Sequence, residues 1–254
     1  MRTMALANQK GGSAKTTTAV NLAAALGEQG RRVLVVDVDP QASATSWLGL
    51  REAGKGIFTA FTENGNLADI VCPTTAQQVE LVPSSTWLVG VEKALAAEVG
   101  AETILRRHLA RLPADRWDYV LVDTPPTLGI LTINALAAVR EVLIPVETHV
   151  LALHGLAQLL HTVAVVKERL NPGLEVSGIL ACRVSARTRH ALEVVEQLRG
   201  RFGNLVYHTV IRENVRLAEC PSFEQPITRY DSRSHGAEDY RALAGEVIRQ
   251  EGNA

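Results

Sequence analysis

The sequence predicts an α/β protein with a doubly wound, mostly parallel sheet and helices on both faces. Three observations carry this expectation. Short Val/Leu/Ile runs alternate with helix-length amphipathic stretches, as a sheet buried on both faces requires. A glycine-rich loop bearing two lysines follows the first run and opens the first helix. Two later runs end in aspartate, at the sheet edge where open α/β folds bind ligands. The 254 residues are 46% hydrophobic and 21% charged, enough for one large core and too apolar for a disordered chain. No linker, repeat or charge block divides them, so residues 1–254 read as a single domain.

In order along the chain, strands are expected at 4–8, 33–36, 80–83, 119–122, 141–146, 176–182 and 205–208. Helical periodicity covers 16–28, 86–99, 102–112, 151–170, 188–202 and 238–250. The least regular stretch is 51–78. Cys72, Cys182 and Cys220 are widely spaced and odd in number, which argues against a disulfide framework or a local zinc site. The first residues are too short an apolar run for a signal peptide, and no window approaches 18 apolar residues. A soluble, cytoplasmic protein is expected.

The formal net charge of -1 hides a segregation of sign. Residues 178–216 hold seven Arg against three Glu, a net +4 that the remainder offsets. Only five Lys occur in the chain, and Lys10 and Lys15 share one loop.

That loop reads Asn8-Gln9-Lys10-Gly11-Gly12-Ser13-Ala14-Lys15-Thr16-Thr17. Glycines let backbone N–H groups turn toward phosphate oxygens, a lysine meets the β and γ charges, and a hydroxyl serves Mg²⁺. The strict G-x-x-x-x-G-K-[ST] pattern is absent, since Lys10 and Ala14 occupy the two glycine places. The loop matches instead the deviant Walker A form, K-G-G-x-x-K-[ST]. A methyl at Ala14 narrows the approach of a nucleotide. The second strand runs into Asp37-Val38-Asp39-Pro40, and alternation puts both carboxylates on one side of its end. Tyr119-Val120-Leu121-Val122-Asp123 followed by Thr124-Pro125-Pro126 has the Walker B arrangement, in which the carboxylate holds Mg²⁺ through water.

On these residues the sequence resembles the ParA/MinD family of deviant Walker A P-loop ATPases, and among them the short ParA-type partition ATPases. The resemblance runs nearly end to end, through Leu81-Val82-Pro83-Ser84-Ser85, Ile130-Leu131-Thr132-Ile133-Asn134 and the distinctive stretch from Thr209 to Ser222. It implies ATP and Mg²⁺ as cofactors, with the nucleotide on Lys10, Gly11, Gly12, Ser13, Ala14, Lys15, Thr16, Thr17 and Asn214. It implies a Mg²⁺ shell around Thr16, Asp37 and Asp123. Lys15 would serve its own subunit's phosphates, Lys10 would reach the partner's phosphates in an ATP-bound homodimer, and Asp39 would orient the attacking water. Arg187, Arg189 and Arg216 match positions of nonspecific DNA contact, and Arg183 is a further candidate. A ParB-type or other adaptor protein, a nucleoid-associated location and a weak ATPase stimulated by DNA and partner complete the implied picture.

The chain departs from that family at Glu147, His149 and Val150, where Gln, Glu and Tyr are usual, at Cys182-Arg183-Val184-Ser185, and at Arg212-Glu213. Three rival functions fare worse. A MinD-like membrane cycler needs a basic terminal helix, whereas 238–250 with Glu251 is net -2 and reads as a packing helix. An iron–sulfur carrier needs bridging cysteines, and an amide-forming synthetase needs a substrate-pocket motif; neither is visible.

Overall fold

The computed structural model describes residues 1–63, 65–148, 152–185 and 189–251. His149, Val150, Arg187 and the expected helix starts at 151 and 188 lie outside the described residues. Among those described, eight strands form one sheet: β1 Arg2–Leu6, β2 Val33–Asp37, β3 Cys72–Pro73, β4 Val79–Val82, β5 Tyr119–Asp123, β6 Glu141–Glu147, β7 Glu175–Val184 and β8 Ile211–Arg212. Their spatial order is β3-β4-β2-β5-β1-β6-β7-β8. Only the short β3 runs antiparallel, against β4; the other pairings are parallel.

Side-chain alternation splits the core into two layers. Met4 and Leu6 of β1 pack with Val33, Val35 and Leu121 under the helices Lys15–Glu28 and His235–Gln250. Ala5 joins Leu34, Val36, Val120, Val122 and Ile144 on the other face, under Ile130–Ala138, Ala152–Arg169 and Arg189–Phe202. Each fully buried Val or Leu contributes about 1.5–3 kcal/mol, so both layers are needed to hold the sheet. The terminal helix begins three residues before the expected start, where the Ser234 hydroxyl accepts from the Ala237 N–H. Its Tyr240, Leu243, Ala244 and Val247 are buried, so its apolar face packs on the protein. No helix among the described residues is long and apolar enough to cross a membrane.

The expected strand at 205–208 is corrected. Residues 203–205 form a 3-10 turn and Val206 makes a single bridge to Ile179; the eighth strand lies at Ile211–Arg212. The reason is a competing acceptor. The Glu246 carboxylate takes the N–H groups of His208 and Thr209 at 2.8 and 3.0 Å, which removes them from a ladder. Tyr207 also lies across β7 at Gly178, where a Cβ would come within 2.3 Å of its ring. The expected helix at 86–99 breaks at Gly90 into a 3-10 turn, Thr86–Gly90, and a short helix, Val91–Leu95.

Candidate functional site

The loop after β1 sits at the centre of the sheet, where β1 separates the β5 side from the β6 side. Gly12 takes φ +76 and Ala14 φ +68, the left-handed region in which a methyl costs about 1 kcal/mol. A Cβ on Gly11 or Gly12 would meet no atom within 4 Å, so these glycines face open space. The helix Lys15–Glu28 starts with no side-chain cap and no acidic residue in its first turn. Its positive dipole end and first N–H groups are therefore presented to an anion from outside the chain. Asn8 fastens the loop start, donating to the Pro145 carbonyl at 2.6 Å and accepting from the Lys10 N–H at 3.0 Å.

Beside this positive end the sheet gathers acids. In the β2–β5 register Asp37 lies opposite Asp123, and both side chains are fully buried. The Thr16 hydroxyl lies 2.7 Å from Asp123 Oδ2, while Asp123 Oδ1 is buried with no hydrogen-bond partner. Burial, and then the neighbouring Asp37 charge, pushes the Asp123 pKa well above the usual carboxylate range. Lys15, also buried, is pushed down by desolvation, against the pull of Asp123 and Asp39. One lysine among three carboxylates leaves a deficit of positive charge, and an unpartnered carboxylate oxygen behind a threonine hydroxyl fits a small oxygen-seeking dication.

Asp37 and Asp39 divide at this point. Both Asp37 oxygens are taken inside the chain: Oδ1 accepts from the Asp39 N–H at 3.0 Å, and Oδ2 from the Thr45 N–H and hydroxyl at 2.9 and 2.7 Å. Thr45 Oγ1 in turn accepts from the Ser84 N–H, and the Ser84 hydroxyl donates to the Asp39 carbonyl at 2.6 Å. The Asp39 carboxylate, held among the described residues by the Gln41 N–H at 2.9 Å, lines a cavity of about 530 Å³.

That cavity extends from the loop residues Gly11, Gly12, Ser13, Ala14, Lys15, Thr16 and Thr17 to a floor of Cys182, Leu217 and Tyr240 with Asn214 at its side. Asn214 caps the helix Val215–Glu219 by accepting from the Arg216 N–H at 2.8 Å, while Gly236 leaves room for its amide. The cavity is thus lined by the expected loop positions 11–17, Asp39 and Asn214; Asp123 lies against Thr16, Asp37 lies behind Asp39, and the Lys10 ammonium points to Glu147. Arg183 also lines the cavity, and Arg216 lies on the helix next to it; both side chains are exposed and ion-paired, Arg183 to Glu147 at 2.8 Å and Arg216 to Glu219 at 3.0 Å. Arg189 opens its helix, and Arg187 is outside the described residues. Sequence reasoning misses Thr45, Asn8 and Tyr240 as site residues. Thr45 and Asn8 act through hydrogen bonds that no spacing reveals, and Tyr240 reads as an ordinary apolar helix position.

A helix start aimed at a cavity and backed by strand-end acids defines a nucleotide-binding protein of the P-loop class. A family model described as an AAA domain matches residues 1–176. The sporulation initiation inhibitor protein Soj of Bacillus subtilis is 44% identical over 246 residues, 96% of this chain and 97% of that protein. The chromosome-partitioning ATPase Soj of Thermus thermophilus is 47% identical over 248 residues, covering 98% and 96%. Among solved structures, cobyrinic acid a,c-diamide synthase from Mycobacterium smegmatis with bound ATP analog and magnesium superposes with a TM-score of 0.87 at 34% identity, covering 99% of this chain and 96% of that one. The chain belongs to the Soj/ParA family of P-loop ATPases.

Proposed function

We propose that this protein is an ATP- and Mg²⁺-dependent partition ATPase that dimerises around two nucleotides, binds duplex DNA without sequence preference as that dimer, and positions a cargo through a ParB-type or other adaptor. The single observation that carries the reading is the charge arrangement at the cavity: an uncapped helix start and Lys15 on one side, with the unpartnered Asp123 oxygen behind Thr16 on the other. ATP is the substrate, its phosphates along residues 10–17 and its base toward Asn214, Leu217 and Tyr240. Thr16, with Asp123 behind it, would hold Mg²⁺, which neutralises charge on the phosphates when bound. Asp39, whose carboxylate faces the cavity, orients the attacking water and takes its proton. Asp37 keeps Asp39 in place through the Asp37–Thr45–Ser84 chain rather than touching the ligand.

Lys10 is assigned to the partner's phosphates, and Arg183, Arg187, Arg189 and Arg216 to DNA phosphates, so that two weak patches act together only in the dimer. The test separates these roles. With ATP and Mg²⁺, Asp39→Ala is expected to accumulate as a dimer by light scattering and Lys10→Ala to stay monomeric; identical behaviour overturns the division. Release of phosphate from ATP with no amide acceptor present separates hydrolysis from the chemistry named for the Mycobacterium smegmatis relative.

A further inference from the structure

Glu147 ends β6 at a position where it can hold Lys10, and the surrounding contacts fix how. Asn8 ties the Lys10 backbone to Pro145, two residues before Glu147 on the same strand. Lys10 Nζ lies 3.4 Å from Glu147 Oε2. The β6–β7 register sets Glu147 opposite Cys182, and the irregularity after Cys182, where Arg183 takes φ +54, brings Arg183 Nη1 to 2.8 Å from Glu147 Oε1. Among the described residues, one carboxylate therefore holds both Lys10 and Arg183 beside the nucleotide cavity. Its side chain is 17% exposed, against 41% for Lys10 and 58% for Arg183.

We infer that Glu147 is a positioning residue for Lys10. It parks the ammonium on the chain's own β6 until a second subunit offers phosphate, and Arg183 sets the strength of that hold by sharing the carboxylate. This rests on the proposed role of Lys10 across the dimer. An ammonium held by its own carboxylate must leave it to cross an interface, so the pair opposes dimerisation by the modest amount of a partly exposed ion pair, applied once per subunit. Arg183 competes for the same carboxylate, so losing it leaves more of the charge on Lys10.

The experiment measures the protein concentration at which ATP and Mg²⁺ produce half-maximal dimer, by sedimentation without DNA, alongside nucleotide affinity of the monomer. Glu147→Gln, which keeps the size and hydrogen bonding of the side chain, should lower that concentration about three- to tenfold with nucleotide affinity unchanged. Arg183→Ala should raise it. The gap between wild type and Glu147→Gln should narrow as salt rises from about 50 mM to about 0.5 M, because a Debye length of about 4 Å screens a partly exposed pair and leaves packing untouched. A Glu147→Gln threshold that is unchanged or higher, a shift of both variants in one direction, or a gap insensitive to salt overturns the proposal. If the wild-type chain never dimerises with ATP, the dimerising-ATPase reading fails, and the role of Glu147 falls with it.

Discussion

The carboxyl ends of β2 and β7 lie on the same edge of one sheet and handle charge in opposite ways. At β2, Asp37 is fully buried and both its oxygens are taken by three donors, so its conformation is dictated by the chain. At β7, Arg183 is exposed and held by one ion pair. Burial makes a charge costly unless its geometry is fixed, whereas water leaves an exposed charge free to exchange partners. The first end is locked by the chain itself, and the second is free to exchange its ion pair for another.

The largest effect should come from the buried side. Lys15→Ala removes a buried cation beside Asp39 and Asp123, and ATP affinity should fall more than about 100-fold, about 3 kcal/mol, by calorimetric titration. Unchanged affinity would break the comparison. Next, Asp37→Ala strands the Thr45 and Asp39 donors, and chemical denaturation should show a loss of about 2 kcal/mol; Asp39→Ala, with one N–H at stake, should lose less than about 1 kcal/mol. Equal losses would mean that the two aspartates do not differ in kind.

On the exposed side, Arg216→Ala should leave stability nearly unchanged while lowering the slope of log DNA affinity against log salt by about 0.9 for each phosphate that the arginine no longer neutralises. Binding measured across a salt series in the presence of ATP checks this. The smallest effect belongs to the exposed Arg32–Asp118 pair, 2.8 Å apart, where the hydrogen bonds from Arg32 hold the Asp118 carboxyl down at about 2. A depressed carboxylate stabilises above its unfolded pKa of about 3.9 and loses that contribution as pH falls toward about 2. Asp118→Asn should therefore cost about 0.5 kcal/mol at about pH 7 and almost nothing at about pH 1, below both pKa values, as read from denaturation midpoints.

What is legible in the sequence follows the same division. The phosphate loop and the strand-ending Asp37 and Asp123 are contiguous patterns whose backbone setting is implied by the apolar runs before them. The expected strand at 205–208 stops short because the N–H groups of His208 and the following Thr209 are claimed by Glu246, 38 residues from His208, an acceptor that no local window contains. The expected helix at 86–99 extends too far because Trp87 and Val89, apolar enough to suggest a buried face, are exposed in the structure. Thr45 carries no pattern, and Asn8, though it begins the loop, gives no sign of its role; each acts through a hydrogen bond to an atom on another element.

The hydrogen-bonded chain from Asp37 through Thr45 and Ser84 to Asp39 also has an optical consequence. Ser84 stands three residues before Trp87, whose ring is tilted against Phe58 at 5.8 Å between centroids and has the Lys55 ammonium 5.5 Å from its centre. Trp47 and Trp117 are buried at 4% and 1% exposure, while Trp87 is 55% exposed. A soluble quencher therefore reaches Trp87 ahead of the other two indoles. Ser84, which holds the Asp39 carbonyl, thus sits three residues from the one indole open to solvent, and quenching of Trp87 is the label-free signal in which a shift of the Asp39 loop would be sought.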